Sequence, residues 1–113
     1  MKDFIVILRE PDGRQDVHDP IEVKEHRVRM SAWFQQHIKS GNITGGSALT
    51  LKGVQIKGRN ADVVNDIHQV GTEIVGGYLL LKAIDWDNAI EMMKSFPVYE
   101  FDGYAEIREF LQT

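Results

Sequence analysis

The chain has 113 residues, a formal charge of −4 at neutral pH and no cysteine. One domain with a single core is expected at this length, and the lack of cysteine excludes disulfides and thiolate metal sites. Charges of both signs are dispersed, so the basic patch of a nucleic-acid-binding protein is missing and no nucleic-acid partner is expected.

No segment approaches the roughly 20 apolar residues that a membrane helix needs. The N-terminal apolar run covers only five residues, with Asp3 before it, which is too short for a signal peptide. We therefore expect a cytoplasmic protein without a membrane partner.

The first part of the chain predicts a strand followed by a long helix. Residues 3–9 (DFIVILR) are apolar at consecutive positions, which is typical of a strand covered on both faces. Residues 11–15 have the composition of a turn. Asp19-Pro20-Ile21-Glu22 is a helix start, with an N-cap, a proline at the first helical position and a glutamate at the third. The helix should run to about Lys39 and stop at Ser40-Gly41-Asn42.

The middle of the chain predicts short strands and turns. Residues 43–57 carry one or two strands with a break at Lys52-Gly53, and residues 58–60 form a further turn. Residues 62–71 have no clean period, so they form either a short strand or an ordered loop.

The last third predicts a strand, a helix and a final strand. Residues 73–84 are the strongest strand pattern, and Asp85 caps a second helix that ends by Pro97. Residues 100–110 form the last strand, in which neither side is cleanly apolar. We expect that strand at a sheet edge or facing a partner.

The element order β-α-β-(β)-β-α-β predicts a ferredoxin-like α+β fold: an antiparallel sheet of four strands with both helices on one face. The runs FIVIL and YLLLKAI nevertheless have the pattern of strands buried on both faces. A second copy of the chain, packed sheet against sheet, would cover the other face. The alternative is that these residues remain exposed, which contiguous apolar patches rarely do.

The first helix carries His26, Trp33 and His37 on one flank of its apolar stripe. Each can be a boundary residue instead of part of a site. The two histidines lie about 16 Å apart along a helix, whereas metal ligands sit about 2 Å from their ion. No metal-binding spacing occurs, so neither a metal nor a cofactor is expected.

A second group of polar residues lies in the unpatterned segment. His68 follows Asp66 by two residues and precedes Glu73 by five. A neutral imidazole can act as a base near pH 7, and a nearby carboxylate would orient it. The alternative is a solvated loop.

Two pairs of glycines, in ITGGSALTL and IVGGYLLLK, begin apolar strands. Glycine within a strand marks a bulge or the close approach of another backbone or a ligand. Gly45, Gly46, Gly76 and Gly77 would hollow one end of the sheet beneath the first helix if the two strands are neighbours. The alternative is two bulges without a ligand.

The order and spacing of these motifs resemble the YCII-related family, closest to its DGPF-type branch. This resemblance implies a dimeric α+β barrel, in a superfamily that includes muconolactone isomerase-like enzymes and small monooxygenases. The matching residues are Gly45, Gly46, Leu49, Gly76, Gly77, Tyr78, Leu80, Asp85, Asp87, Ala89, Ile90, Pro97, Gly103, Glu106 and Arg108.

The chain departs from the family at two motifs. Asn65-Asp66-Ile67-His68 stands where the Asp-Gly-Pro-Phe signature is expected. Other members carry a His on the first helix and an Asp just before the proline that follows the second helix, and these two residues are proposed as a dyad. Here His26 lies on the right helix, but Phe96 occupies the Asp position, so half of that dyad is missing.

The leading hypothesis is a small-molecule-binding homodimer with a pocket between the first helix and the glycine-headed strands. Its polar wall would be formed by His26, Asp66, His68 and Glu73, with Tyr78 as a hydrogen-bonding aromatic. His26 or His68 would be the general base in an isomerase- or lyase-like proton transfer on a small organic acid. The alternatives are a non-catalytic accessory domain and a cofactor-free monooxygenase-like enzyme.

Overall fold

The helices and strands follow the predicted order, with a short 3₁₀ helix added before the last strand. The structure, a computed structural model, describes residues 1–12 and 18–111. Its elements are β1 (Lys2–Pro11), α1 (Pro20–Lys39), β2 (Ile43–Ala48), β3 (Gln55–Lys57), β4 (Asp62–Val64), β5 (Glu73–Ala83), α2 (Trp86–Lys94), the 3₁₀ helix (Pro97–Phe101) and β6 (Tyr104–Glu109).

Both helices begin and end through the local signals found in the sequence. The Asp19 side chain accepts a hydrogen bond from the backbone N–H of Ile21 (3.0 Å), and α1 ends at Lys39. Gly41 follows with a φ of +82°, the left-handed conformation that glycine adopts without strain. Asp85 caps α2 by accepting a hydrogen bond from the N–H of Asn88 (2.8 Å). These predictions are confirmed.

Four strands form one antiparallel sheet in the order β2-β5-β1-β6. This is the predicted ferredoxin-like arrangement, and β6 lies at the predicted edge. The last strand begins at Tyr104, later than residue 100, because Pro97–Phe101 form the 3₁₀ helix. The predicted turn at residues 11–15 lies largely outside the described residues.

The core lies between the sheet and the two helices. Alternation along β1 and β5 directs Phe4, Val6, Leu79 and Leu81 towards the helices, and all four are buried. Residues from α1, α2 and the segment after α2 complete the same cluster: Trp33, Ala89, Met93, Phe96 and Val98.

The opposite face of the sheet is not covered within the described chain. Ile5, Ile7, Tyr78 and Leu80 alternate with the core residues and are only half-buried. The thinnest dimension of the Cα trace is 19 Å, which accommodates one layer of helices on one sheet. The expected burial on both faces is therefore not met by a single chain. We call this surface the open face.

Residues 49–72 form an arm that extends beyond the four-stranded sheet. Its two short strands, β3 and β4, pair with each other and not with the main sheet. Val54, Ile56, Val63 and Val70 in the arm are all at least 60% exposed. The Cα radius of gyration, 15.9 Å, accordingly exceeds the roughly 13 Å of a compact domain of this size.

Within the described ranges, no helix combines the length and the apolar character needed to cross a membrane.

Candidate functional site

A cavity of about 440 Å³ lies between α1 and the strands that contain the glycine pairs. This volume is in the range of small-molecule sites in proteins. The residues around it are mostly apolar: Leu8, Glu10, Met30, Phe34, Ile38, Ile43, Thr44, Gly45, Gly46, Ser47, Ala48, Gly76, Gly77, Tyr78, Leu79, Phe96 and Val98.

One row of side chains on α1 forms the roof of the cavity. Met30, Phe34 and Ile38 are spaced by four residues, so they lie on the same face of the helix. His26 is one turn before Met30 in this row and therefore lies beyond one end of the cavity.

The glycine pairs form part of the floor, because β2 and β5 are neighbours. An added Cβ on Gly46 would lie 2.5 Å from the carbonyl oxygen of Tyr78, and Gly46 has a φ of +145°. An added Cβ on Gly77 would lie 2.8 Å from the carbonyl oxygen of Ser47. These two glycines let the backbones of β2 and β5 approach closely while leaving space beneath α1.

Gly76 has a different role, because it accommodates a carboxyl group. The register between β1 and β5 shifts after Leu8, and Gly76 lies within this bulge. An added Cβ on Gly76 would lie 1.9 Å from the Glu10 Oε1 atom. The Glu10 carboxyl therefore lies directly over Gly76, at the edge of an apolar cavity.

Glu10 is the principal titratable group that the sequence interpretation missed. Burial raises the pKa of its carboxyl, and the nearby charge of His26 partly offsets that increase. Within residues 1–12 and 18–111, no donor forms a hydrogen bond with this carboxyl. In the sequence, Glu10 is a single acidic residue at the end of an apolar strand. Its place over Gly76 depends on the pairing of β1 with β5, which the sequence pattern does not reveal.

His26 belongs to a charged cluster beside the cavity. Its Nδ1 atom is 3.3 Å from Glu100 Oε1, and its ring packs against Phe101 at a centroid distance of 4.6 Å. The single N–H of Arg29 Nε is shared between the two oxygens of the same carboxylate, at 3.1 and 2.9 Å, and Nη2 donates a further hydrogen bond to it. These bonds lower the pKa of Glu100. His26 therefore contacts a carboxylate, which comes from Glu100 and not from position 96.

The structure does not bring the other predicted polar residues to this cavity. His68 is exposed and lines a separate pocket of about 300 Å³ with Leu49, Lys52 and Val75. Asp66 accepts a hydrogen bond from the backbone N–H of Ile67 (2.8 Å) rather than from His68.

Glu73 lies away from the cavity, whereas Tyr78 borders it as predicted. Glu73 accepts a hydrogen bond from the Tyr104 hydroxyl (2.5 Å), which raises the pKa of that phenol. Tyr78 borders the cavity, but strand alternation directs its side chain to the open face with Ile7. Of the predicted polar wall, only His26 is close to the cavity.

Across residues 1–12 and 18–111, no group of three or more His, Cys, Asp and Glu side chains could hold a metal ion. The residues that line the cavity include the carboxyl-bearing Glu10 and the backbone of the glycine strands. This arrangement can bind a small organic molecule and exchange a proton with it.

Comparisons with known proteins identify a shared fold but no closer relationship. No family model matches the chain, and no curated protein matches it. Among solved structures, it is similar to 5-chloro-2-hydroxyhydroquinone dehydrochlorinase from Burkholderia phenoliruptrix AC1100, in complex with 2,5-dihydroxybenzoquinone. The identity is 12%, the TM-score is 0.52, and the match covers 97% of this chain and 95% of that one. This likeness shows that the two proteins share a fold.

Proposed function

We propose that the chain is a small-molecule-binding domain and an enzyme of the isomerase or lyase type, with its ligand in the 440 Å³ cavity. The observation that carries this proposal is the Glu10 carboxyl, which lies at the edge of an apolar cavity without a hydrogen-bond partner among the described residues. A titratable group in such a position is typical of a functional site.

Glu10 is the proposed acid–base group. Burial raises the pKa of its carboxyl, which brings the carboxyl closer to the pH at which it can both accept and donate a proton. His26 is the proposed positioning residue, since Glu100 orients the imidazole through Nδ1 and leaves Nε2 available. Removing a proton from one ring carbon and returning it to a different atom would be an isomerisation. Removing a proton while the neighbouring carbon loses a leaving group with its bonding electrons would form a double bond and would be an elimination.

Two further features are consistent with this proposal. The structural neighbour is a dehydrochlorinase with a small ring compound as its ligand, and a compound of that size fits the cavity. Membership of the YCII-related family and a cytoplasmic location also remain proposals. Asp66 and His68 lie in the arm, so we assign them no role in this chemistry.

Ligand binding can be measured through the methionine methyl groups. The chain has four methionines: Met30 lines the cavity, whereas Met92 and Met93 belong to α2 and Met1 to the terminus. We expect neutral ring compounds to shift the ¹³C-methyl signal of Met30 and to leave that of Met92 unchanged. The Met30→Leu variant assigns the signal. Equal shifts at all methionines, or none at Met30, would contradict binding in the cavity.

Proton transfer can be tested with cyclohexanone, a neutral ring whose α-protons exchange with solvent deuterium. We expect the protein to accelerate this exchange and Glu10→Gln to lose the acceleration about 100-fold, the usual contribution of a general base. Glu91→Gln, at an exposed position on α2, is the matched control. The proposed catalytic role fails if Glu10→Gln exchanges α-protons as fast as the control.

We also propose that the protein is a homodimer in which the open faces of two copies pack together. Ile5, Ile7, Tyr78 and Leu80 form a contiguous patch on that face, and such patches usually mark interaction sites. The arm also exposes apolar side chains, among them Ile56 and Val70. If the cavity binds nothing, this dimer surface favours the accessory-domain alternative.

Sedimentation equilibrium tests the dimer. We expect the wild type to sediment as a dimer and Ile7→Glu to shift it towards monomer, because the substitution places a charge at the centre of the open face. Val28→Glu is the control, since Val28 is 64% exposed on α1. A folded wild-type monomer at high concentration would rule the dimer out.

A further inference from the structure

We infer that the cavity selects uncharged and cationic ring compounds and excludes small organic acids, with Glu10 as the discriminating residue. This inference rests on the proposed function, because it names the ligand class of the same cavity. It also replaces the small organic acid expected from the sequence.

The charge in the lining of the cavity is negative and comes from Glu10. In the part of the chain that the structure describes, Glu10 is the single charged side chain among the lining residues, and no lysine, arginine or histidine accompanies it. A carboxylate ligand placed there would lose its hydration without gaining a cation, which is costly in an apolar site.

The basic groups near this end of the molecule are already engaged. Arg29 and His26 both bind the Glu100 carboxylate outside the cavity. Arg9 lies on the open face of the sheet, where its Nε donates to Glu106 at 3.1 Å. Recruiting one of these cations to an anionic ligand would require breaking an existing ion pair.

The Glu10 carboxyl is suited to a neutral partner. In its protonated form it donates a hydrogen bond to a carbonyl or hydroxyl oxygen, and in its ionised form it accepts one from an amide or hydroxyl. The aromatic rings of Phe34 and Phe96 and the thioether of Met30 supply the apolar surface around the rest of the ligand. An ionised Glu10 carboxylate also accepts a hydrogen bond from a cationic nitrogen. The structure therefore fits a ring with one polar substituent, uncharged or cationic, near Glu10.

Three probes of nearly identical shape separate charge from size: benzamide, benzamidine and benzoate. Titrations followed at the ¹³C-methyl signal of Met30 give their affinities at neutral pH. We expect wild-type protein to bind benzamide and benzamidine at least about tenfold more tightly than benzoate. Glu10→Gln removes the repulsion between Glu10 and a carboxylate ligand but not the cost of dehydrating that ligand. The preference for benzamide over benzoate should therefore fall at least about threefold in Glu10→Gln, while Glu91→Gln retains it.

The outcomes separate this inference from the proposed function. If none of the probes, and no other neutral ring, perturbs Met30, the cavity is not a ligand site and both proposals fail. If the probes shift Met30 but benzoate binds as tightly as benzamide to the wild type, the charge selectivity fails while the binding site stands. The wild-type comparison does not depend on the folding of Glu10→Gln, and the ¹H–¹⁵N spectrum of the variant checks that folding.

Discussion

The two glycine pairs have the same sequence pattern but different structural roles. In β2, Gly46 has a φ of +145° and lies against the backbone of β5. In β5, Gly77 also faces backbone, whereas Gly76 faces the carboxyl of Glu10. Gly45 lies next to the Leu80 side chain of β5. Gly45, Gly46 and Gly77 are therefore explained by the packing of β2 against β5.

This difference separates glycines that the fold needs from a glycine that the site needs. A backbone carbonyl cannot move away from a new Cβ without disturbing the sheet, whereas the end of a glutamate side chain can rotate. Substitutions at the two kinds of position should therefore affect different properties of the protein.

Gly46→Ala should have the largest effect on stability. The new Cβ would meet the Tyr78 carbonyl oxygen at 2.5 Å, at a backbone conformation that alanine rarely adopts. We expect the free energy of unfolding to fall by about 3 kcal/mol or more. Urea denaturation measures this loss, and a value within about 0.5 kcal/mol of wild type would show that β2 and β5 are not packed as described.

Gly77→Ala should have a smaller effect of the same kind. Its Cβ would lie 2.8 Å from the Ser47 carbonyl oxygen, but without a positive φ. A loss of about 1 to 3 kcal/mol is expected, since the strands must separate slightly. If urea denaturation shows Gly77→Ala to be less stable than Gly46→Ala, the backbone conformation of Gly46 is not the main constraint.

Gly76→Ala should leave the fold intact and alter the site. The new methyl group would also lie 2.8 Å from Glu10 Cγ, so the whole Glu10 side chain must rotate to a different rotamer. Because this side chain is flexible, the free energy of unfolding should stay within about 1 kcal/mol of wild type. The displaced carboxyl should weaken benzamide binding about tenfold, measured at Met30. Unchanged affinity in a folded variant would mean that the position of Glu10 over Gly76 has no part in ligand binding.

Glu10→Gln should have the smallest effect on stability, visible only as a pH dependence. Burial raises the pKa of the folded Glu10 carboxyl above its usual 4.5. As the pH rises above 4.5, the unfolded chain releases this proton before the folded chain does, so wild-type stability falls until the pH passes the raised pKa. The Glu10→Gln variant has no carboxyl at this position, so its stability does not show this fall with rising pH.

Urea denaturation at pH 4 and pH 8 measures that difference. The free energy of unfolding of Glu10→Gln relative to wild type should be higher at pH 8 than at pH 4. Glu100→Gln should show the opposite trend, because Arg29 lowers the pKa of Glu100. That stabilisation is fully present above the usual pKa of Glu100 and is lost as the pH falls towards its lowered pKa. The same trend in both variants would contradict the burial of Glu10.

The sequence predicted most of the fold because the relevant signals are local. The caps at Asp19 and Asp85 and the left-handed Gly41 depend on neighbours a few residues away. The 3₁₀ helix was missed because Pro97 and the residues after it have no distinctive period. The cavity between α1 and the glycine strands was expected correctly, since adjacent strands with glycines leave space beneath a helix.

The polar residues of the site were mostly not predictable. His26 contacts Glu100, which is 74 residues away, and Glu10 meets Gly76 only because β1 pairs with β5. His68 and Glu73 are separated from the cavity because the arm leaves the sheet and because Glu73 binds Tyr104. The spacing of residues along the chain does not predict these contacts, because they join residues that are far apart in the sequence.

The sequence by itself determined the elements, their order and the ferredoxin-like class, because apolar periodicity, caps and turns act over a few residues. Tertiary structure alone decided which carboxyl enters the cavity, which glycine accommodates it and which face of the sheet stays uncovered. The physical reason is that burial and electrostatic environment depend on distances across the fold, and strand pairing sets these distances only once the chain has folded.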